Sequence, residues 1–127
     1  MKILLVDDEV AFICALAQRL SLRGEDADWT SSPEDAVTMA EKETYDIAVL
    51  DIKMPKIDGI RLKKLLHDKC PDMKFVFLTG HGSEESFQAG VSEAGADNYL
   101  LKPVDIEDLV AKITKIRTEK QKENADG

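Results

Sequence analysis

The sequence predicts an α/β fold with a parallel sheet of five strands, because short apolar runs alternate with longer amphipathic stretches. Continuous apolar runs bounded by turn residues are typical of parallel strands that are buried on both faces. The stretches between them have the length and the periodicity of helices. The four clearest apolar runs each end on a polar side chain: Ile3–Val6 before Asp7, Ile47–Leu50 before Asp51, Phe75–Leu78 before Thr79, and Tyr99–Leu101 before Lys102.

The sequence predicts two helices and three of the strands in the first half of the chain. Residues 9–23 predict a helix that ends at Gly24, because glycine tolerates the left-handed backbone that often follows a helix. Residues 27–30 predict a short second strand. Ser32 and the proline after it supply an N-cap and a first helical residue for a second helix over residues 33–43.

The second half predicts three more helices. A turn-rich loop over residues 53–59 precedes a helix over residues 60–69, and the last helix begins near Asp105. Between them, Ser83 opens a fourth helix that contains Gly90. A glycine inside a helix costs about 1 kcal/mol relative to alanine, so we expect the fourth helix to be marginally stable and movable.

Composition limits the class of protein. A chain of 127 residues fits one domain, expected over residues 1–118, with a polar tail over residues 119–127 that is either a frayed end or the stump of a linker. The net charge of −8 argues against direct nucleic-acid binding. No apolar stretch is long enough to cross a membrane, and the N-terminus lacks the layout of a signal peptide. The two cysteines have no disulfide or metal spacing, so a cytoplasmic location is expected.

Polar side chains at the strand ends predict a site at one edge of the sheet, because ligands bind at the carboxyl ends of parallel strands. Three carboxylates, a hydroxyl and an amine converge there: those of Asp7, Asp8, Asp51, Thr79 and Lys102. Two carboxylates about 4 Å apart repel by ~4 kcal/mol at an effective dielectric constant of 20. A compensating cation is therefore expected, and carboxylate and carbonyl oxygens together with water suit Mg²⁺.

The same residue types suit phosphoryl transfer. A carboxylate such as that of Asp51 can attack a phosphorus atom as a nucleophile and form an acyl phosphate. The Lys102 ammonium and Mg²⁺ can neutralise charge on the transferred group, and the Thr79 hydroxyl can donate a hydrogen bond to it. The alternative is that each residue is simply a turn residue at a strand end.

The expected Mg²⁺ ligands are Asp8, Asp51 and the backbone carbonyl of Lys53, with Asp7 acting mainly through water.

The order of these residues resembles the receiver domain of two-component response regulators over about residues 2–118. Asp7-Asp8 resembles the acidic pair of that family, and Asp51 stands at its phosphoacceptor position. The other matching positions are Pro55 and Gly59 after Asp51, Thr79 and Gly80 at the switch hydroxyl, Lys102 with Pro103, and Tyr99 as the aromatic residue that turns inward on activation.

The resemblance implies a doubly wound, flavodoxin-like sheet of strand order 2-1-3-4-5 flanked by five helices, and a cis peptide bond at Lys102-Pro103. It also implies Mg²⁺-dependent transfer of a phosphoryl group to Asp51 from a phosphohistidine of a sensor histidine kinase or a phosphotransfer protein. Such a domain catalyses its own phosphorylation and slow dephosphorylation, so it is a signalling phosphoacceptor rather than an enzyme. Lys53 and His81 lie near the mouth of the site and are expected to tune the lifetime of the phosphorylated state; the alternative is two solvated loop residues.

Phosphorylation is expected to switch a partner-binding surface around the fourth helix, the fifth strand and the last helix. Thr79 is drawn toward the phosphoryl group, and the Tyr99 ring turns into the vacated space; the alternative for Tyr99 is a half-buried strand aromatic. The output is either a separate downstream target or an attached output domain, with homodimer formation on phosphorylation as a further outcome. The chain is either a complete single-domain regulator or a receiver cut from a longer protein.

The first helix is expected to dock the kinase. Every residue over Val10–Ala17 is apolar, which is more than one buried face requires. If the stripe that starts at Phe12 faces the sheet, the outer side carries three docking residues: Ile13, Cys14 and Ala17. The alternative is a rotated helix in which these residues are buried.

Two other functional classes fit parts of the pattern. A phosphohydrolase of the haloacid-dehalogenase type also forms an aspartyl phosphate, but its nucleophile follows strand one and is usually followed two residues later by a second Asp. Here Asp8 is followed by Glu9 and Val10. A phosphate-independent binding module would use the same fold without binding Mg²⁺.

Overall fold

The structure, a computed structural model, describes residues 2–54, 56–80 and 99–126. Its five strands are β1 (Lys2–Val6), β2 (Asp26–Thr30), β3 (Ile47–Asp51), β4 (Lys74–Thr79) and β5 (Tyr99–Leu101). The helices within the described ranges are α1 (Val10–Leu22), α2 (Pro33–Lys42), α3 (Gly59–Lys69) and a C-terminal helix (Ile106–Asp126). The fourth predicted helix with Ser83 and Gly90, and the predicted residues Pro55 and His81, lie outside the described residues.

The strands form one parallel sheet in the order β2-β1-β3-β4-β5, which confirms the predicted fold class. All five residues of β3 are buried, as are four of the five in β1. These central strands are covered on both faces, which is why their sequences are continuously apolar rather than alternating.

Two hydrophobic cores lie on opposite faces of the sheet, because successive side chains of a strand point to opposite sides. Leu4 and Leu50 belong to the core beneath α2 and α3. Leu5 and Val49 belong to the core beneath α1 and the C-terminal helix. Each central strand therefore anchors both layers of helices and holds its carboxyl end in a fixed position.

Local signals set the helix boundaries within one or two residues of those predicted. Gly24 follows α1 with a φ of +83°, the left-handed conformation that glycine accepts without strain. The Asp35 N–H donates to Ser32 Oγ at 3.2 Å, which caps α2, and the Arg61 N–H donates to Asp58 Oδ1 at 2.8 Å, which caps α3.

The C-terminal helix continues to Asp126, through most of the polar tail that was expected over residues 119–127 to be a frayed end or a linker stump. This segment is rich in Glu, Lys and Gln, which favour helix even without a core to bury. Lys120 also connects this segment to the sheet: its Nζ donates to the Asp46 carbonyl oxygen at 3.3 Å and lies 3.6 Å from Asp46 Oδ1. The division between residues 118 and 119 remains a prediction. Among the described helices, none is long and apolar enough to cross a membrane.

The prediction of which face of α1 is exposed is wrong. Ile13 is 0% exposed and packs in the core together with Leu16, Ala17 and Leu20, whereas Phe12 is only partly buried. The helix is rotated relative to the expectation, because a continuous apolar run allows two different stripes to face the sheet. Of the three expected docking residues, Ile13 and Ala17 are therefore unavailable to a partner, and only Cys14 is partly exposed.

Candidate functional site

The polar strand ends meet at the carboxyl edge of the sheet, at the boundary between β1 and β3. These strands are neighbours, with Val6 opposite Leu50, so Asp7 and Asp51 come side by side. The chain passes from β1 to β2 on one side and then crosses to β3 on the other, so this boundary is the topological switch point at which ligands bind in open α/β sheets.

Three carboxylates form a compact cluster at this point. One oxygen each from Asp7, Asp8 and Asp51 lies within 4.8 Å of the others. Asp7 is fully buried and Asp51 is 4% exposed, whereas Asp8 faces solvent. Two buried carboxylates beside an open one provide the oxygen ligands and the free side that a hydrated divalent cation requires.

Lys102 carries the opposing charge. Its backbone N–H donates to the Thr79 carbonyl oxygen at 2.7 Å, which ties the end of β5 to the end of β4. Its Nζ lies 2.8 Å from Asp7 Oδ2 and 3.5 Å from Asp51 Oδ2, in a side chain that is only 16% exposed. The sequence predicted that this ammonium acts on the group transferred to Asp51, and the structure adds Asp7 as its nearer partner. The Lys102-Pro103 bond is cis, as the resemblance implied.

The electrostatics of the cluster disfavour three ionised carboxylates. Burial, followed by the charge of Asp7, raises the pKa of Asp51 to about 7, although Lys102 and the Lys53 N–H act in the opposite direction. Burial also raises the pKa of Asp7, against the hydrogen bonds from Lys102 and the Glu9 N–H. Burial lowers the pKa of the Lys102 ammonium, but the neighbouring carboxylates outweigh this effect and raise it overall. A bound cation would relieve this repulsion.

Backbone amides hold the two buried carboxylates in place. The Glu9 N–H donates to Asp7 Oδ1 at 2.9 Å, and the Lys53 N–H donates to Asp51 Oδ1 at 3.3 Å. Both donors lie two residues after the carboxylate they contact, the usual geometry of an Asp side chain at a turn. The Lys53 side chain is exposed, and its expected roles in cation binding and phosphoryl lifetime remain predictions.

The Thr79 hydroxyl is buried without a hydrogen-bond partner among the described residues. Thr79 is 1% exposed and ends β4, where the preceding Leu78 is opposite Asp51. A buried hydroxyl without a partner is costly, so this hydroxyl is free to donate a hydrogen bond to a group bound beside it. Within the same described ranges, no heavy atom lies within 4 Å of a Cβ built on Gly80, so the position beside Thr79 is open.

Tyr99 begins β5 opposite Phe77 and is half-buried against the core beneath α2 and α3. It thus lies three residues before Lys102, which directly follows this short strand. This position agrees with the expected switch aromatic and equally with a packed strand residue, so its switch role remains a prediction.

Gly59 explains one element of the spacing pattern. A Cβ at this position would lie 2.2 Å from the Asp51 carbonyl oxygen and 2.9 Å from the Asp51 carbonyl carbon. The Gly59 N–H also donates to the Ile52 carbonyl oxygen at 2.9 Å. Only glycine lets the first residue of α3 approach the β3 end this closely, so it fixes the backbone that carries Asp51.

Two neighbours of Lys102 were not predicted from the sequence. Glu9 Oε1 lies 3.2 Å from Lys102 Nζ, and Nζ lies 5.0 Å from the centroid of the Phe12 ring. Glu9 directly follows the acidic pair and Phe12 lies three residues further along, so both face the same side of the start of α1. That spacing was the available signal, but it was assigned to core packing.

Fold and site together define a receiver domain, and comparison with known proteins shows the same class. The sequence profile of the response regulator receiver domain matches residues 3–114. The chain therefore belongs to the response regulator receiver domain family. It is a receiver domain of two-component signalling.

Among curated relatives, the response regulator MprA of Mycobacterium leprae (strain TN) is 35% identical over 113 residues, which are 89% of this chain and 49% of MprA. The alkaline phosphatase synthesis transcriptional regulatory protein PhoP of Bacillus subtilis (strain 168) is 36% identical over 115 residues, which are 91% of this chain and 48% of PhoP. The chain thus spans about half the length of these relatives.

Solved receiver domains have the same fold over almost their whole length. A CheY-like receiver domain protein from Methanospirillum hungatei JF-1 is 34% identical with a TM-score of 0.85, covering 96% of this chain and 97% of its own. A receiver domain protein from Clostridium thermocellum is 30% identical with a TM-score of 0.85, covering 94% of this chain and 96% of its own.

Proposed function

We propose that this domain accepts a phosphoryl group on Asp51 from a phosphohistidine of a sensor histidine kinase or a phosphotransfer protein, in a Mg²⁺-dependent reaction. The observation that carries the proposal is the placement of Asp51. Its buried carboxylate lies within 4.8 Å of the two other carboxylates and 3.5 Å from the Lys102 ammonium. A structural aspartate would gain nothing from buried like charges, whereas a phosphoacceptor needs a cation and an ammonium beside it.

The donor set fits Mg²⁺. Hard oxygen ligands with an open, exposed side are what this ion prefers, and we assign Asp8, Asp51 and the Lys53 carbonyl as ligands, with Asp7 acting through water. When bound, Mg²⁺ supplies positive charge that keeps Asp51 ionised and balances the charge on the transferred group.

The protein's own residues have distinct roles in transfer. A carboxylate oxygen of Asp51 attacks phosphorus, a P–O bond forms, and the P–N bond to the donor imidazole breaks, with its electron pair leaving on nitrogen. The Lys102 ammonium pairs with a phosphoryl oxygen, and the Thr79 hydroxyl donates a hydrogen bond to another. Water later hydrolyses the acyl phosphate, at a rate tuned by Lys53 and His81, so the domain is a slowly self-resetting signal carrier rather than an enzyme.

Readout follows from the Thr79 hydroxyl moving to the phosphoryl group and Tyr99 turning inward. This changes a partner-binding surface around the fourth predicted helix, β5 and the C-terminal helix. The partners are a kinase or phosphotransfer protein upstream and a separate target, an attached output domain or a second copy downstream. The receiver unit is residues 1–118, and it acts in the cytoplasm.

The test is acceptor mapping with acetyl phosphate and Mg²⁺. Wild type is expected to gain acid-labile, hydroxylamine-sensitive phosphate, and Asp51→Asn is expected to gain none. Asp68→Asn, at an exposed position on α3, makes the same charge change away from the site and is expected to label normally. Undiminished labelling of Asp51→Asn, or no labelling of wild type, would overturn the proposal.

A further inference from the structure

The Lys102 ammonium contacts more carboxylates than phosphoryl transfer requires. Its Nζ lies 2.8 Å from Asp7, 3.2 Å from Glu9 and 3.5 Å from Asp51. An ammonium group has three N–H donors, and it shares them among these three carboxylates. A phosphoryl oxygen on Asp51 therefore competes with these partners for the ammonium.

Glu9 is the partner that can be released at least cost. The Asp7 side chain is fully buried, so separating it from Lys102 leaves a buried carboxylate without an opposite charge. The Asp51 side chain is 6% exposed and carries the phosphoryl group itself. The Glu9 side chain is 66% exposed, so water replaces the ammonium when it leaves. Before phosphoryl transfer, Glu9 thus shares the Lys102 ammonium with the two buried carboxylates.

Phe12 adds a second contact from the same helical turn. Its half-buried ring lies 5.0 Å from Lys102 Nζ, a distance at which a cation is attracted to an aromatic face. Glu9 and Phe12 both belong to the start of α1, whereas Asp7 and Asp51 belong to strand ends. The start of α1 therefore provides a separate location for the ammonium, next to the site but not within the proposed ligand set.

We propose that Glu9 is a positioning residue that competes with the phosphoryl group for Lys102, and that it thereby weakens binding of phosphodonors. This inference rests on the proposed phosphoacceptor function. An ion pair to an exposed carboxylate corresponds to about a two- to fivefold change in an equilibrium constant. Since the released ammonium contacts the phosphoryl group before and during transfer, the change appears in the half-saturating donor concentration rather than in the maximal rate.

The test uses three variants of the full chain. Glu9→Gln removes the charge, and Glu9→Asp keeps the charge but shortens the side chain by one methylene, which withdraws it from Lys102. Glu34→Gln is the matched control, because Glu34 lines a cavity beside Asp8 and loses the same charge without contacting Lys102. Initial rates are measured against acetyl phosphate concentration at saturating Mg²⁺.

Both Glu9 variants are expected to lower the half-saturating acetyl phosphate concentration about two- to fivefold with the maximal rate unchanged, and Glu34→Gln is expected to match wild type. An equal shift in Glu34→Gln, or wild-type behaviour of Glu9→Asp, would assign the effect to general charge and overturn the inference. A change confined to the maximal rate of the Glu9 variants would also overturn the inference.

A second measurement separates this inference from the proposed function. In protein labelled with ¹³C at lysine, the Lys102 Cε resonance without donor is expected to move in both Glu9 variants and not in Glu34→Gln. An unmoved resonance overturns the positioning role even if Asp51 is phosphorylated normally. Absence of phosphate on wild-type Asp51 would instead refute the proposed phosphoacceptor function. The Lys102 Cε resonance would still test the contact between Glu9 and Lys102.

Discussion

Removing the Asp51 charge should stabilise the metal-free domain at alkaline pH. The structure buries this carboxylate beside Asp7, and these effects raise its pKa from 3.8 to about 7. Above pH 7 the folded chain must hold Asp51 ionised in an environment that disfavours the charge. Asp51→Asn keeps the shape of the side chain and removes that cost, while Asp7 remains 2.8 Å from Lys102 to satisfy the ammonium.

The size and sign of the effect follow from proton linkage. Because the folded pKa is raised, the folded chain binds more protons than the unfolded chain between pH 3.8 and about 7. The associated stability is fully present below 3.8 and is lost as pH rises through 7. Between pH 5.5 and 8.5 the wild type should lose about 2 kcal/mol of unfolding free energy through this group. The total advantage of the variant at pH 8.5 has an upper limit of about 4 kcal/mol.

The assay is urea unfolding in EDTA, followed by the fluorescence of Trp29, the single tryptophan, and by far-UV circular dichroism. The quantity compared is the difference in unfolding free energy between Asp51→Asn and wild type at each pH. The control is Asp68→Asn, at an exposed position with the same charge change. Adding Mg²⁺ at a hundred times its dissociation constant should stabilise wild type by about 2.7 kcal/mol and the variant by much less.

Two results would refute the reasoning. One is a variant that is less stable than wild type throughout this pH range. The other is a difference that does not grow between pH 5.5 and 8.5, which would mean that the Asp51 pKa is not raised by its surroundings.

Three further changes test the packing and the cation site. Gly59→Ala forces a methyl group to 2.2 Å from a backbone oxygen and should cost about 2–4 kcal/mol in urea unfolding, whereas Gly80→Ala, with open space among the described atoms, should cost far less. Asp8→Ala should abolish Mg²⁺-dependent labelling by acetyl phosphate, and labelling at the wild-type level would contradict the assignment of this ligand. Ile13→Asp buries a charge at a 0% exposed position and should cost more than about 4 kcal/mol, while Val10→Asp, at a 50% exposed position, should leave the thermal midpoint nearly unchanged.

The fold and the members of the site were predictable because their signals are local. Buried parallel strands require continuous apolar runs, and the residue after each run must lie at the carboxyl edge whatever the details of packing. This rule alone predicts that Asp7, Asp51, Thr79 and Lys102 lie near one another. The resemblance supplied the strand order and the cis bond at Lys102-Pro103, which the residue pattern did not.

The features that the sequence did not predict depend on contacts between distant parts of the chain. Over Val10–Ala17 every position is apolar, so the sequence does not determine which stripe faces the sheet, and packing against the C-terminal helix decides it. The nearer partner of Lys102 depends on how the Lys102 side chain crosses the sheet edge from the end of β5 toward β1, which no single segment specifies. The extension of the C-terminal helix depends partly on Lys120 reaching Asp46, a contact between residues far apart in the chain.

The charge balance of the site gives a reason for Thr79 to be the sensor of phosphorylation. The buried carboxylates and the Lys102 ammonium already pair with one another or with backbone amides, so each would exchange one partner for another when a phosphoryl group arrives. The Thr79 hydroxyl has no partner to lose among the described residues, so its hydrogen bond to a phosphoryl oxygen is a net gain. If Asp51 is phosphorylated as proposed, we therefore expect the largest free-energy difference between the two states at the end of β4. A displacement there would pass to β5, because the Thr79 carbonyl oxygen accepts the Lys102 N–H.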